Sequence, residues 1–265
     1  MLGVAGLRPV ALEPRALGAL LMHVEAAVRV AALHALAGTG ERSKPPKQLT
    51  AALTDSDPTV RAAAMAALAV LAPQSRRTIG KLQKALDDPA SCVRRASCAA
   101  LACVPPSDAE TVVAALQPLL SDASPAVRVA AAVALLHFGS PGGTGEVLEK
   151  ALSSPDATLQ VEAARALAGG GGDPARLLPV IERGLSSEEP ALRRVALEAV
   201  ARVGEAGASL AARVAEVALD GAVGERFRAI RALQAFGPAR VPFLPILYAG
   251  LASVWPSVRE AAAEA

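Results

Sequence analysis

DSDPTVRAAAMAAL, residues 55–68, is the stretch that decides the fold. It opens on turn formers, places a proline where a helix would start, and runs on as an alanine-rich segment without glycine. Asp57 precedes Pro58, so its carboxylate can accept the free N–H groups of a helix start. Pro58 suits the first helical position, where its missing N–H costs nothing and its φ is already helical. Counting Val60 as position one, Val60, Ala64, Ala67 and Leu68 stand at one, five, eight and nine. That spacing is one apolar helical face.

The same wording returns along the chain: VRVAALHAL from Val28, VRRASCAAL from Val93, VRVAAAVAL from Val127, LQVEAARAL from Leu159 and LRRVALEAV from Leu192. An arginine keeps the beat at Arg29, Arg61, Arg94, Arg128, Arg193, Arg226 and Arg259, with Gln160 on the skipped beat. Successive positions are 32 to 34 residues apart. A fixed period of this size means stacked supersecondary units, none of which can bury its apolar face alone. PPKQLTAAL before the quoted stretch reads as a short first helix, so one period is a helix pair. Asp88-Pro89, Ser124-Pro125, Ser154-Pro155 and Glu189-Pro190 are expected to repeat the Asp57-Pro58 punctuation, and Trp255-Pro256 keeps only the proline. Position six is apolar throughout: Leu33, Met65, Cys98, Ala132, Ala164, Leu197, Ile230 and Ala263. These second helices are therefore buried on more than one side. Gly40, Gly139, Gly204 and Gly237 are expected to close them as left-handed caps. The repeats fall near 9–40, 45–72, 76–104, 108–139, 144–168, 173–204, 207–237 and 238–265, read as a single domain over 1–265.

Composition agrees. Hydrophobic residues are 52% and aromatics 2%, which suits closely packed helices of small side chains. The net charge of +2 is too small to argue for a nucleic acid or a membrane surface. Cys92, Cys98 and Cys103 form neither a CxxC pair nor an even framework, so free thiols in a reducing compartment are expected, with Cys98 in the core. Charged residues and prolines break every apolar run before bilayer length. The first residues lack the order of a secretory signal, although their arginines are compatible with a mitochondrial presequence. The expected location is cytoplasmic.

The pattern D-x-D-P-x-V-R-x-x-A-x-x-A-L resembles HEAT repeats, most closely the short type of phycobilisome lyases and bacterial scaffold proteins. DSDPTVRAAAMAAL at 55–68 and SDASPAVRVAAAVAL at 121–135 carry it best, and the resemblance covers nearly the whole chain. It implies an all-α, right-handed α-solenoid of about eight helix pairs. It also implies a ladder from repeat to repeat, in which Asp57, Asp88 and Glu189 would face Arg61, Arg94 and Arg193 or their neighbours. The helix-opening arginines, Arg29 through Arg259, are then structural. Gln160 departs from that pattern, as does Glu225 in the valine place of repeat seven.

The motif is specific for fold and nearly silent on chemistry. Deoxyhypusine hydroxylase resembles this architecture but carries His-Glu pairs that bind iron, and no His-Glu dipeptide occurs here. His23, His34 and His137 lie far apart without a second ligand at metal spacing. Alkylpurine DNA glycosylases of similar fold use aromatic residues, which are nearly absent before residue 227 apart from Phe138. GSPGGTG at 139–145 and GGGGDP at 169–174 follow no strand and lack a P-loop lysine, so they read as linkers. RSKPPK at 42–47 and the group Arg76, Arg77, Lys81 and Lys84 read as solvated charge. No enzyme activity, cofactor or metal is expected.

In HEAT-like stacks the second helices line the concave wall, where positions three, seven and eleven are expected to face outward. In the first four repeats that wall is small and apolar apart from His34 and Arg95. In the last four it carries Arg165, Arg194, Arg202 and Arg231, with Glu198 and Phe227 set among them. Arginine beside an aromatic is the usual make-up of an interaction hot spot. The competing reading is a solvated face of alternating charge. Phe227, Phe236, Phe243, Tyr248 and Trp255 crowd the last segment, as a bulkier core or as an interface. The function expected is non-enzymatic protein–protein scaffolding on the concave face, with self-association through the C-terminal end open. Two alternatives stand: a lyase-like accessory acting on a chromophore-bearing or modified protein, and a nucleic-acid-binding HEAT-like protein.

Overall fold

A computed structural model describes residues 14–38, 47–72, 75–105 and 108–264. The expected starts at Pro9 and Pro45, the Gly40 cap and most of the 42–47 basic loop lie outside them. The described residues form eight helix pairs: α1 (Pro14–Leu20) with α2 (Ala26–Gly38), α3 (Lys47–Ala52) with α4 (Pro58–Leu71), α5 (Arg76–Lys84) with α6 (Ser91–Leu101), α7 (Ala109–Leu116) with α8 (Pro125–His137), α9 (Thr144–Leu152) with α10 (Ala157–Gly169), α11 (Pro174–Leu185) with α12 (Pro190–Val203), α13 (Ala211–Asp220) with α14 (Val223–Gln234), and α15 (Leu244–Leu251) with α16 (Pro256–Ala263). Among these residues there is no strand, and no helix is long and apolar enough to cross a membrane. The architecture is an α-solenoid, divided by its contacts into two compact units, residues 1–140 and 141–265.

In unit 1 the second helices α2, α4, α6 and α8 pack side by side and form the spine of one core. Val60, Val93 and Val127 at position one are fully buried, as is Cys98 at position six. Cys98 is fully buried and packs as a small apolar group, and that burial pushes its thiol up to about 12. In unit 2, α10, α12, α14 and α16 repeat the arrangement around Ala164, Leu197 and Ile230. Position six is buried from Leu33 to Ile230, whereas Ala263 is exposed.

The helix starts follow the local chemistry in part: Ser124-Pro125 and Glu189-Pro190 keep the proline at the start of α8 and α12, but neither Ser124 nor Glu189 makes a side-chain cap bond. Asp57 caps α4, its Oδ1 accepting the Thr59 N–H at 2.8 Å. Asp156 caps α10 and Asp173 caps α11 in the same way. Asp88-Pro89 and Ser154-Pro155 do not repeat this role. They lie six and five residues before Arg94 and Gln160, where Asp57-Pro58 lies four and three before Arg61, and α6 and α10 begin only at Ser91 and Ala157. Gly139, Gly204 and Gly237 have φ of 70°, 65° and 54°, positive values that glycine adopts without a Cβ penalty, but Gly204 has a ψ of −139° and is not a left-handed helical cap, and α14 is capped by Ala235, ahead of Gly237. Gly184 matters through space instead of φ. A Cβ there would stand 2.8 Å from a Val161 methyl and 2.9 Å from Ala196 Cβ, so only glycine lets α11 sit this close to α10 and α12.

Candidate functional site

The recurring arginine has one geometry and two kinds of partner. In unit 1, Nη1 of each helix-opening arginine donates to the carbonyls six and five residues earlier. Arg61 reaches Asp55 and Ser56, Arg94 reaches Asp88 and Pro89, and Arg128 reaches Asp122 and Ala123. The other side of the fork crosses to the next repeat. Arg29 Nη2 meets Asp55 at 2.8 Å. Arg61 holds both oxygens of Asp88 through Nε at 2.9 Å and Nη2 at 2.8 Å, and Arg94 holds both of Asp122 at 2.8 and 2.9 Å. A planar guanidinium against a carboxylate is the geometry that makes such pairs strong and directional. The rungs are only about one-seventh exposed, with side-chain values of 15% and 14% for Arg61 and Asp88. The Arg61 and Arg94 guanidiniums hold the Asp88 and Asp122 carboxyls below the usual carboxylate range.

The ladder acid thus stands six residues before the next arginine, and two expected members are corrected. Asp57 is a helix cap, two residues too late to reach a neighbouring arginine, and the rung at its turn belongs to Asp55. Glu189 sits at the start of α12 without a side-chain cap bond, and Arg193 pairs instead with Glu225 at 2.8 Å. Glu225, in the valine place, is buried. One oxygen takes Arg193, and the other accepts the Ala222 N–H at 3.0 Å, so one side chain serves as rung and as helix cap. Gln160 reaches the Ser154 carbonyl at 2.6 Å and accepts from Arg183 at 3.1 Å. Among the described residues, Arg128, Arg226 and Arg259 form no ion pair.

The expected partner surface lies on α10, α12 and α14, the second helices of successive repeats, with α12 packed against both others. Arg194, Arg202 and Arg231 are exposed, and Arg165, Glu198 and Phe227 are half-buried. Arg231 sits over the Phe227 ring, 5.9 Å from its centroid. Glu198 is not free: it accepts from Arg228 Nε at 2.9 Å, a residue the sequence reading did not include. The head of Arg202 rests on the end of α10, where a Cβ on Gly169 would come within 2.9 Å of its Nη1. Burial first, then the neighbouring Arg165, lowers its pKa, and Glu198 opposes the shift. The guanidinium remains charged. Arg165 Nε is itself buried without a hydrogen bond. Not every expected outward position belongs to this face. Val129 and Val161 at position three are buried, Val161 because α11 closes on it at Gly184.

The remaining candidates divide. Phe236 is fully buried and Phe243 packs on the unit 2 core, whereas Tyr248 and Trp255 are exposed. His34 is exposed and His137 meets Phe138 edge-on at 5.3 Å. The cysteines are free. Among the described residues no group of three or more His, Cys, Asp or Glu is placed to hold a metal ion.

HEAT repeats match the chain over residues 14–102, 79–144 and 145–233. The solved complex of CpcE and CpcF of phycocyanin lyase from Nostoc sp. PCC7120 is similar over 90% of this chain and 94% of that one, at 22% identity and a TM-score of 0.61. Human deoxyhypusine hydroxylase aligns over 94% and 93% of the two chains, at 20% identity and a TM-score of 0.42. The Escherichia coli protein YibA aligns over 96% and 92%, at 18% and 0.47. At 22% identity the likeness to the CpcE and CpcF complex is one of fold. No curated protein matches the sequence.

Proposed function

The chain belongs to the HEAT-repeat family, and on that premise we propose that it is a non-enzymatic scaffold that binds a partner protein on the outward face of α10, α12 and α14. One observation carries this reading: Arg165 Nε is buried without a hydrogen bond, and the charge of Arg165 acts on nearby Arg202, whose pKa is lowered by burial and by Arg165, with Glu198 opposing the shift. A face that only needed solvation would avoid that cost, since like charges held together in a partly buried setting raise each other's free energy. An acidic partner surface removes it. Arg194 and the Arg231–Phe227 pair then flank the centre with the residue types that dominate interface hot spots.

The test is capture from native lysate by the purified chain, beside an Arg194→Glu/Arg231→Glu variant of unchanged thermal midpoint. The expected result is a protein retained by the wild type and lost by the variant. Equal retention by both would overturn the assignment. The likeness to the phycocyanin lyase complex supports a second reading, an accessory that acts on a chromophore-bearing protein. A pigmented protein among those retained would favour it. Binding of nucleic acid that falls steeply with added salt would replace both.

A further inference from the structure

Three clefts open beside helix-opening arginines, and one lacks its acid. A cavity of about 580 Å³ adjoins Arg61 and Asp88, and one of about 540 Å³ adjoins Arg193 and Glu225. In both the guanidinium is held by its carboxylate. The third, about 310 Å³, lies within unit 2 between α13, α14, α15 and the start of α16, and adjoins Arg226 and Ser253. Ser253 stands six residues before Arg259, the place that Asp55, Asp88 and Asp122 fill in unit 1. Arg226 donates Nε to the Gly221 carbonyl at 2.6 Å, and its two terminal nitrogens have no partner among the described residues.

Ser253 Oγ accepts the Trp255 N–H at 3.3 Å, which leaves its own O–H free to donate. Arg259 donates to the Ser253 carbonyl at 2.8 Å and so fixes the turn. No acidic residue lines the cleft, and the rest of the wall is apolar. Leu219, Val254 and Trp255 form its open rim, at 49%, 82% and 47% exposure. A cleft of about 310 Å³ lies at the small end of ligand pockets and has room for one or two side chains.

We propose that this cleft binds an acidic side chain of a partner polypeptide, an Asp or Glu beside an aliphatic residue. The carboxylate takes the place of the missing ladder acid, accepting from the Arg226 terminal nitrogens and the Ser253 hydroxyl. The aliphatic neighbour lies against Leu219, Val254 and Trp255. Charge complementarity selects this occupant: guanidinium and hydroxyl are both donors, and in the clefts at Arg61 and Arg193 a carboxylate, Asp88 or Glu225, sits against the guanidinium. The cleft shares α14 with the scaffold face, but none of Arg165, Arg194, Glu198, Arg202, Phe227 and Arg231 lines it, and the proposal does not depend on that face.

Trp255 is the sole tryptophan of the chain, so its emission reports on the cleft directly. The probe is acetyl-Leu-Asp-Leu-amide, with the Asn peptide and hexanoate as comparisons. A saturable change is expected with the Asp peptide, weaker by about fivefold or more with the Asn peptide and in Arg226→Gln, Arg226→Lys and Ser253→Asp. Arg194→Glu/Arg231→Glu is expected to respond as wild type, which separates this site from the scaffold surface. Absence of a saturable response in the wild type, or an equal response to the Asn peptide, would overturn the proposal. Saturation by hexanoate without binding of the peptide would overturn the polypeptide assignment.

Discussion

Between residues 14 and 140, three consecutive arginines, Arg29, Arg61 and Arg94, each close on an aspartate of the next repeat. Between 141 and 264 only Arg193 closes such a rung, and its acid is the buried Glu225. The outward residues of the second helices change in the opposite sense. Ala62, Ala66 and Ala99 belong to unit 1, and Arg194, Arg202 and Arg231 to unit 2. One repeat grammar therefore serves two ends. Where charge is paired between repeats it links them, and the outward arginines of unit 2 are the ones assigned to a partner in the proposed function.

Removing a rung acid in unit 1 is expected to have the largest effect. Asp122→Ala strands Arg94 and also loses the Ser124 N–H bond, so a loss of about 3 kcal/mol is expected in urea unfolding. Asp220, which stands in the same register in unit 2, is exposed and pairs with nothing among the described residues. Asp220→Ala is expected to be silent in the same assay, and equal losses would break the comparison. Next comes packing in unit 2. Gly184→Ala pushes a methyl into Val161 and Ala196 and is expected to cost about 1–3 kcal/mol, because overpacking forces the helices apart. A neutral result would mean that α11 is free to shift.

Acid separates the units by a smaller margin. The folded-state pKa of Asp88 and Asp122 is depressed, chiefly by the arginine hydrogen bonds. Asp55 follows: burial raises it, but Arg29 and the Asp57 N–H bring it below its ordinary value. A depressed carboxylate contributes stability that is full above its unfolded pKa of about 3.9 and is lost as pH falls through the folded value. Amide exchange below about pH 4 is therefore expected to quicken in α4 and α6 before α12 and α14. The smallest effect is a gain: Ser253→Asp supplies the missing acid and is expected to add under about 1 kcal/mol, since that site is partly open.

Most of the fold was legible because the period, the alternating apolar positions and the turn residues all agree at the level of single residues. The ladder was legible only as a type. Asp57-Pro58 and Asp88-Pro89 look alike as dipeptides but stand two residues apart in register, and only counting back from the arginine separates cap from rung. The same count finds Asp55 and Asp122, and it marks Ser253 as an empty place. Glu225 was unreadable because a buried carboxylate at an apolar position makes sense only once Arg193 and the Ala222 N–H are seen to converge on it. Val161 was misplaced because an outward position assumes equal spacing between helices, and Gly184 lets α11 come closer than that. The exposure of Arg194, Arg202 and Arg231 follows from helical spacing, but the burial of Arg165 Nε and the engagement of Glu198 by Arg228 depend on how helices are offset, which spacing along one helix does not encode.

The most direct measurement is the thermal midpoint of Arg61→Ala beside that of Arg226→Ala, the same residue at the same place in two repeats. With the rung closed at Arg61 and open at Arg226, the first is expected to fall by about 5–10 °C and the second by under about 2 °C. Equal falls would contradict the claim that the two units put this arginine to different uses.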